Sequence, residues 1–217
     1  MNNLNPTPID DFGAALAMSG LLVTSPVMRS WYRRWGASDA EVQAHLPGDE
    51  IVSQPKMEIT RAITVQAPVE NVWAWLAQIG QERGGLYSYE RLENLARCQI
   101  KNADRIVPEW QNLEPGDNVR LGPAGYPLFR VVAVEMDKYL VMQACDPVNE
   151  QPGPASWMFM LSRLQDNETR LLTRSRNGAE WTFANRLMWS GIVDPLHFVM
   201  ERRMLIGIKQ RAEQLSL

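Results

Sequence analysis

The chain has 217 residues, of which 45% are hydrophobic and 22% charged, and a formal net charge of −3. That is enough material for one globular domain with an appendage and room for an interior cavity. The mild acidity and dispersed Lys and Arg argue against a nucleic-acid groove. The two cysteines, Cys98 and Cys145, lack C-x-x-C spacing, and the two histidines, His45 and His197, stand far apart. Neither a disulfide framework nor a metal site is indicated, so no cofactor is expected and a reducing, cytoplasmic location is the default.

Residues Phe12 to Met28 are 17 uncharged residues followed by the basic and aromatic run Arg29 to Trp35. A spanning helix needs about 20 predominantly apolar residues, and this run contains Gly13, Ser19, Gly20, Thr24, Ser25 and Pro26. Asp10 and Asp11 precede it, unlike the basic start of a signal peptide. We read it as an amphipathic arm packed on the domain, with peripheral membrane contact through residues 12–35 left open. Residues 36–57 read as a linking segment with a short helix at 38–44, where Ser38 and Glu41 have capping-box spacing. The division expected is thus an arm and linker over 1–57 and a ligand-binding domain over 58–217.

From Glu58 the pattern becomes regular. Ile59, Ile63 and Val65 alternate as a strand, with Arg61 on the same side. Pro68 opens a helix that Gly80 closes, with Val69, Val72, Trp73, Leu76 and Ile79 as its buried stripe. A second helix is expected over 88–97, with Tyr89, Leu92, Leu95 and Ala96 facing in and Glu90, Glu93 and Arg97 facing out. Five strands follow, at 118–122, 128–135, 139–144, 156–164 and 169–176, several joined by short turns that favour antiparallel neighbours. The Pro- and Gly-containing loop 146–155 is long for a hairpin and either covers one end of a cavity or is a plain surface loop.

The chain closes with a predicted helix from Pro195 to Gln214, with Asp194 as a candidate N-cap. Phe198, Met200, Met204, Leu205, Ile208, Ala212 and Leu215 share one broad face; Arg202, Lys209, Gln210 and Glu213 fall opposite. His197 and Glu201, one turn apart, project from the apolar face. A carboxylate there must be ion-paired, hydrogen-bonded or held neutral. Either the two residues form a satisfied structural pair or they face a cavity. Arg61 and Arg130, each interrupting an apolar strand, are candidates to reach Glu201, and Tyr87 is a candidate for a pocket rim.

One strand, two helices, an antiparallel meander and a long terminal helix form an α+β order in which a curved sheet can wrap the last helix. Over about residues 59–214 the chain resembles the SRPBCC superfamily, the START or Bet v 1-like helix-grip fold, and within it the polyketide cyclase/dehydrase and lipid-transport group. The resemblance rests on Ala67-Pro-Val-Glu-Asn-Val-Trp73, Gly85-Leu-Tyr-Ser-Tyr-Glu90 with Leu92-Glu-Asn-Leu95, Ala103-Asp-Arg-Ile-Val-Pro-Glu-Trp110 and His197-Phe-Val-Met-Glu-Arg-Arg-Met204, with Leu46-Pro-Gly-Asp49 upstream. It implies an internal site for a lipid, sterol, polyketide or aromatic molecule, and transfers no catalytic residue. The leading expectation is a non-catalytic binder or carrier of a small hydrophobic ligand, with Met200, Met204 and Ile208 as apolar wall and His197 and Glu201 as orienting groups. The alternatives are a cyclase-like or dehydratase-like enzyme using His197 and Glu201, or an interaction protein with a filled core. His197→Phe or Glu201→Leu is expected to alter binding and leave the fold intact.

Overall fold

The computed structural model describes residues 6–180, 182–183 and 188–215, and for 21–26 the backbone alone. Helix α1 (Pro8–Arg33) and a short α2 (Asp39–Gln43) precede β1 (Met57–Val65), α3 (Val69–Leu76) and α4 (Glu90–Leu95). Then come β2 (Asn118–Arg120), β3 (Leu128–Glu135), β4 (Tyr139–Cys145), β5 (Pro152–Gln165), β6 (Glu168–Asn177) and the long α5 (Asp194–Gln214). Among the described residues the strands form one antiparallel sheet in the order β1-β6-β5-β4-β3-β2. The curved sheet carrying the long C-terminal helix is the helix-grip arrangement expected from the element order.

Strand alternation sorts the core into two layers. Inward residues such as Leu140, Met142, Trp157, Phe159 and Leu171 pack with Met204, Leu205 and Ile208 of α5. Outward residues Ala62, Val141, Met158 and Leu172 pack with Leu46 from the segment between α2 and β1. That segment therefore lies against the outer face of the sheet. Three arginines at alternate positions of β6 hold it. Arg170 donates to Glu41 at 2.7 and 2.9 Å. Arg174 is buried and donates to Asp49 Oδ2 (2.8 Å), to Thr60 Oγ1 (3.0 Å) and to the carbonyls of Glu41, Val42 and Ala44. Arg176 donates to the Asp49 carbonyl at 2.5 Å. The Arg170 hydrogen bonds lower the Glu41 pKa to about 2. Buried charges so paired position the segment, with Arg176 Nε left as a donor that makes no hydrogen bond among the described residues.

Three local expectations are corrected. Asp194 is no N-cap: Val193 and Asp194 already have helical dihedrals, because a π-helical turn (Trp189–Val193) runs directly into α5. The Asp194 carboxylate instead accepts from Arg33 at 2.6 Å, tying α5 to the end of α1. Helix α4 is rotated from the expected face: Tyr89 and Leu92 pack inward as expected, but Glu93 is buried and Leu95 is 82% exposed. A helix of 6 residues has little periodicity to set its rotation, so the flanking turns decide it. The predicted loop 146–155 is shorter, since β5 already begins at Pro152.

Gly207 marks the closest approach of α5 to the chain before α4: a Cβ there would lie 2.2 Å from the Tyr87 carbonyl oxygen. Gly207→Ala is therefore expected to cost roughly 1–3 kcal/mol through overpacking. Gly13 has open space around it, so Gly13→Ala in α1 is expected to stabilise by up to about 1 kcal/mol. Thermal melts of the two variants check the contrast.

Candidate functional site

The sheet register assembles a polar cluster under the first turns of α5. Arg61 of β1 stands opposite Thr173 of β6, and Thr173 stands opposite Phe159 of β5, with Trp157 two residues along on the same inner face. Glu201 enters this group from α5. One Oε2 accepts from Arg61 Nη1 in a buried ion pair. The other carboxylate oxygen accepts from Trp157 Nε1 at 3.2 Å and Thr173 Oγ1 at 3.4 Å. Arg61 also donates through Nε to the Tyr32 carbonyl at 2.8 Å, and its guanidinium lies 5.1 Å over the Phe198 ring. Its Nη2 is buried with no hydrogen-bond partner among the described residues.

His197 completes the cluster. Its Nδ1 is 3.4 Å from Arg61 Nη1, and its Nε2 is 3.9 Å from Glu201 Oε1, beyond a direct hydrogen bond. A guanidinium only donates, so Nδ1 is the acceptor and the neutral ring carries its proton on Nε2. Burial and the Arg61 charge push the His197 pKa below its ordinary value against the opposing pull of Glu201 and Asp194. Burial pushes Glu201 upward, yet Arg61, His197 and the hydrogen bonds from Arg61 and Trp157 outweigh it and leave its pKa below the usual range. The cluster therefore holds an ionised carboxylate and guanidinium beside a neutral imidazole. Glu201 and Arg61 are sealed, whereas His197 keeps 37% of its side chain exposed.

The remaining candidates separate. Met204 and Ile208 are buried in the inner core, and Met200 is half-buried on the same helix. Tyr87 is not at a rim: it is fully buried, donates to the Trp75 carbonyl at 2.9 Å, and burial pushes its hydroxyl pKa up. Arg130 lies one residue off the inner-facing Phe129 and Val131, so it points to the other face and pairs with Glu150 at 2.5 Å, away from Glu201. Sequence reasoning missed Trp157 and Thr173, whose only signal was their alternation on the inner faces of β5 and β6. It also missed Arg211, which is buried against the rings of Tyr87 and Trp75, burial lowering its pKa to about 10. Glu201→Leu alone is no longer expected to be benign, because it strands the Arg61 charge.

On the outer face an open pocket of about 480 Å³ is lined by His45, Asp49, Glu50, Glu58 and Arg176 among others. Its Arg176 is already engaged by Glu58 at 2.9 Å and by Asp49, so this pocket belongs to the clamp on the segment before β1. No helix among the described residues is long and apolar enough to cross a membrane, and no group of three or more His, Cys, Asp and Glu among them could hold a metal ion.

No family model matches the chain, and no curated protein matches it. Among solved structures it is similar to protein MLL2253 from Mesorhizobium loti, with 16% identity over 74% of this chain and 100% of that one and a TM-score of 0.42. Protein NE0264 from Nitrosomonas europaea is similar at 12% identity, over 74% of this chain and 96% of that one, with a TM-score of 0.44. The Polyketide_cyc-like protein Cgl2372 from Corynebacterium glutamicum is similar at 15% identity, over 70% of this chain and 89% of that one, with a TM-score of 0.35.

Proposed function

We propose that the chain binds a small, largely apolar ligand between the inner face of the sheet and α5, with His197 as its polar contact. The observation that carries this reading is the exposure of His197. His197 keeps 37% of its side chain open to water directly beside the buried Arg61–Glu201 pair, so a polar group of a bound molecule can reach it there. Half-buried Met200 and Phe129 flank that end of the fold, with Phe129 centred 5.6 Å from Trp157. Methionine and aromatic side chains supply an adaptable apolar wall, and a few convergent polar groups fix orientation. The group on offer is a donor, Nε2–H of His197. A ligand with a carbonyl, carboxylate or similar acceptor at one end of an apolar body fits it best.

The same geometry weighs against an enzyme that uses His197 as general base. Nδ1 already accepts from Arg61, and Nε2 carries the proton. The test is native mass spectrometry of freshly purified full-length protein, with organic extraction of anything bound, followed by titration with anilinonaphthalene sulfonate, whose apolar rings carry an anionic head. A 1:1 complex is expected, with His197→Phe weakening it about tenfold, or ~1.4 kcal/mol, while leaving the melting temperature unchanged. A folded protein that binds neither extracted molecules nor the probe would favour a filled core and refute the proposal.

A further inference from the structure

Helix α4 seats a buried carboxylate on a short, shallowly packed element. Arg91, Asn94, Leu95, Ala96 and Arg97 are exposed, while Tyr89 and Leu92 pack with Phe198 and Val199 of α5 and with Ala14 and Tyr32 of α1. Its fastenings are single polar contacts. Ser88 donates to the Met200 carbonyl at 3.0 Å, Glu90 accepts from the Asn102 backbone at 2.9 Å, Arg91 pairs with Asp11 at 3.2 Å, and Tyr126 donates to the Ala96 carbonyl at 2.6 Å. Asn94 and Ile100 exchange two hydrogen bonds that close the turn after the helix. On either side the backbone enters the left-handed region at residues that carry side chains, Tyr87 (φ 55°), Arg97 (φ 61°) and Gln99 (φ 53°). That conformation is disfavoured outside glycine and persists because the surroundings impose it.

Glu93 is 6% exposed in this segment, and its Oε2 makes no hydrogen bond among the described residues. Its charged neighbours leave it unpaired. Glu90 on the same helix is a second acid, and Cys98 in the following turn offers a thiol. From α1, Asp11 takes Arg91. From α5, Arg203 lies over the Tyr89 ring and Arg211 over Tyr87 and Trp75. Arg97 and Lys101, in the flanking turn, point to solvent. We propose that α4 is a proton-controlled latch: with Glu93 neutral it closes on α1 and α5, and with Glu93 ionised residues 88–96 swing out, hinged at Tyr87 and at 97–99, to bring the carboxylate into water. Burial, reinforced by Glu90 and opposed by Ser88, raises the pKa of the seated group from 4.5 to about 8, and the hydrated group returns to its ordinary value. Opening therefore releases a proton between those limits. Its equilibrium constant rises about tenfold per pH unit up to pH 8 or so and levels off above it. The movement uncovers the turn of α5 at 198–200, next to His197, and stands whether or not a ligand binds there.

The test is hydrogen–deuterium exchange of the full-length chain, read by mass spectrometry at pH 6, 7 and 8 with each rate divided by the intrinsic amide rate at that pH. The reporting amides are those of Glu93 and Ala96, which donate to the Tyr89 and Leu92 carbonyls within the helix. They are expected to lose protection about tenfold per pH unit, and at every pH to exchange at least about tenfold faster than the amides of β5 and β6, as an opening smaller than global unfolding requires. Glu93→Gln should flatten the pH dependence at α4. Arg91→Ala, which removes an exposed fastening and no titrating proton, should speed exchange there by one factor at all three pH values and leave the slope as it was. Protection at α4 that is constant with pH, that changes with the same slope in Glu93→Gln, or that is lost at the same rate as in β5 and β6 overturns the proposal.

Discussion

Replacing Glu201 by leucine is expected to lower the unfolding free energy by about 3–5 kcal/mol, the cost of leaving a buried charge unpaired. The Arg61 side chain is fully buried and Glu201 is its carboxylate partner, while Trp157 Nε1 keeps only its 3.0 Å bond to Thr173. Arg61→Met combined with Glu201→Leu is expected to recover most of that loss, since two apolar groups of similar volume often replace a buried pair at little cost. The residual deficit reflects the Tyr32 carbonyl, which loses its donor from Arg61. The pH dependence follows the same logic. Glu201 has a folded-state pKa below its unfolded value of 4.5, so its contribution is present above pH 4.5 and is lost as pH falls through the folded pKa. Urea melts at pH 7 and pH 3 should show the parent losing stability in acid and the double variant losing less. A single variant as stable as the double would mean that Arg61 finds another partner.

Glu93→Gln is expected to do the opposite and stabilise the protein near pH 8. Glu93 is buried in α4 and its Oε2 has no hydrogen-bond partner among the described residues. Burial, reinforced by the neighbouring charge of Glu90 and opposed by a hydrogen bond with Ser88, raises its pKa from 4.5 to about 8. A folded-state pKa raised above the unfolded value means that the fold holds a proton the unfolded chain releases. The stabilisation is complete below pH 4.5 and is lost as pH rises to about 8. At 1.36 kcal/mol per pKa unit, this group alone removes on the order of 4–5 kcal/mol between those limits. Glutamine stays neutral throughout. Urea melts of parent and variant should coincide near pH 4.5 and diverge steadily toward pH 8, with the variant more stable. Parallel curves would show that Glu93 is compensated by a partner in solution.

Both results depend on groups whose surroundings are non-local, and that separates what could be read from the chain. Alternation and turn chemistry made β1 through β6 legible to within a few residues, because strand formation and short antiparallel connections are written in adjacent positions. The 3.6-residue period of α5 likewise put Glu201 on the apolar side, and burying a carboxylate there required an ion pair, hydrogen bonds or a raised pKa. Arg61 and Arg130 had the same signature, a basic residue interrupting an apolar strand. Only the register of β1 with β6 and of β3 with β4 shows that one faces α5 and the other faces away. Trp157 and Thr173 carried no charge to mark them, so their bonds to Glu201 were invisible before the strands were paired.

Short and irregular segments were settled by tertiary structure alone. The rotation of α4 buries Glu93 and exposes Leu95 because six residues supply too little apolar surface to orient a helix against the turns that flank it. The segment before β1 had no periodicity of its own, and its place on the outer face is imposed by Arg170, Arg174 and Arg176, more than a hundred residues later. Helix α1 shows the division most plainly. Composition established that residues 12–28 form an uncharged run too short and too interrupted to span a bilayer. Which of its apolar faces would be covered could not be read from it, because both satisfy the helical period and only the docking of α5 against Ala14 and Tyr32 chose between them.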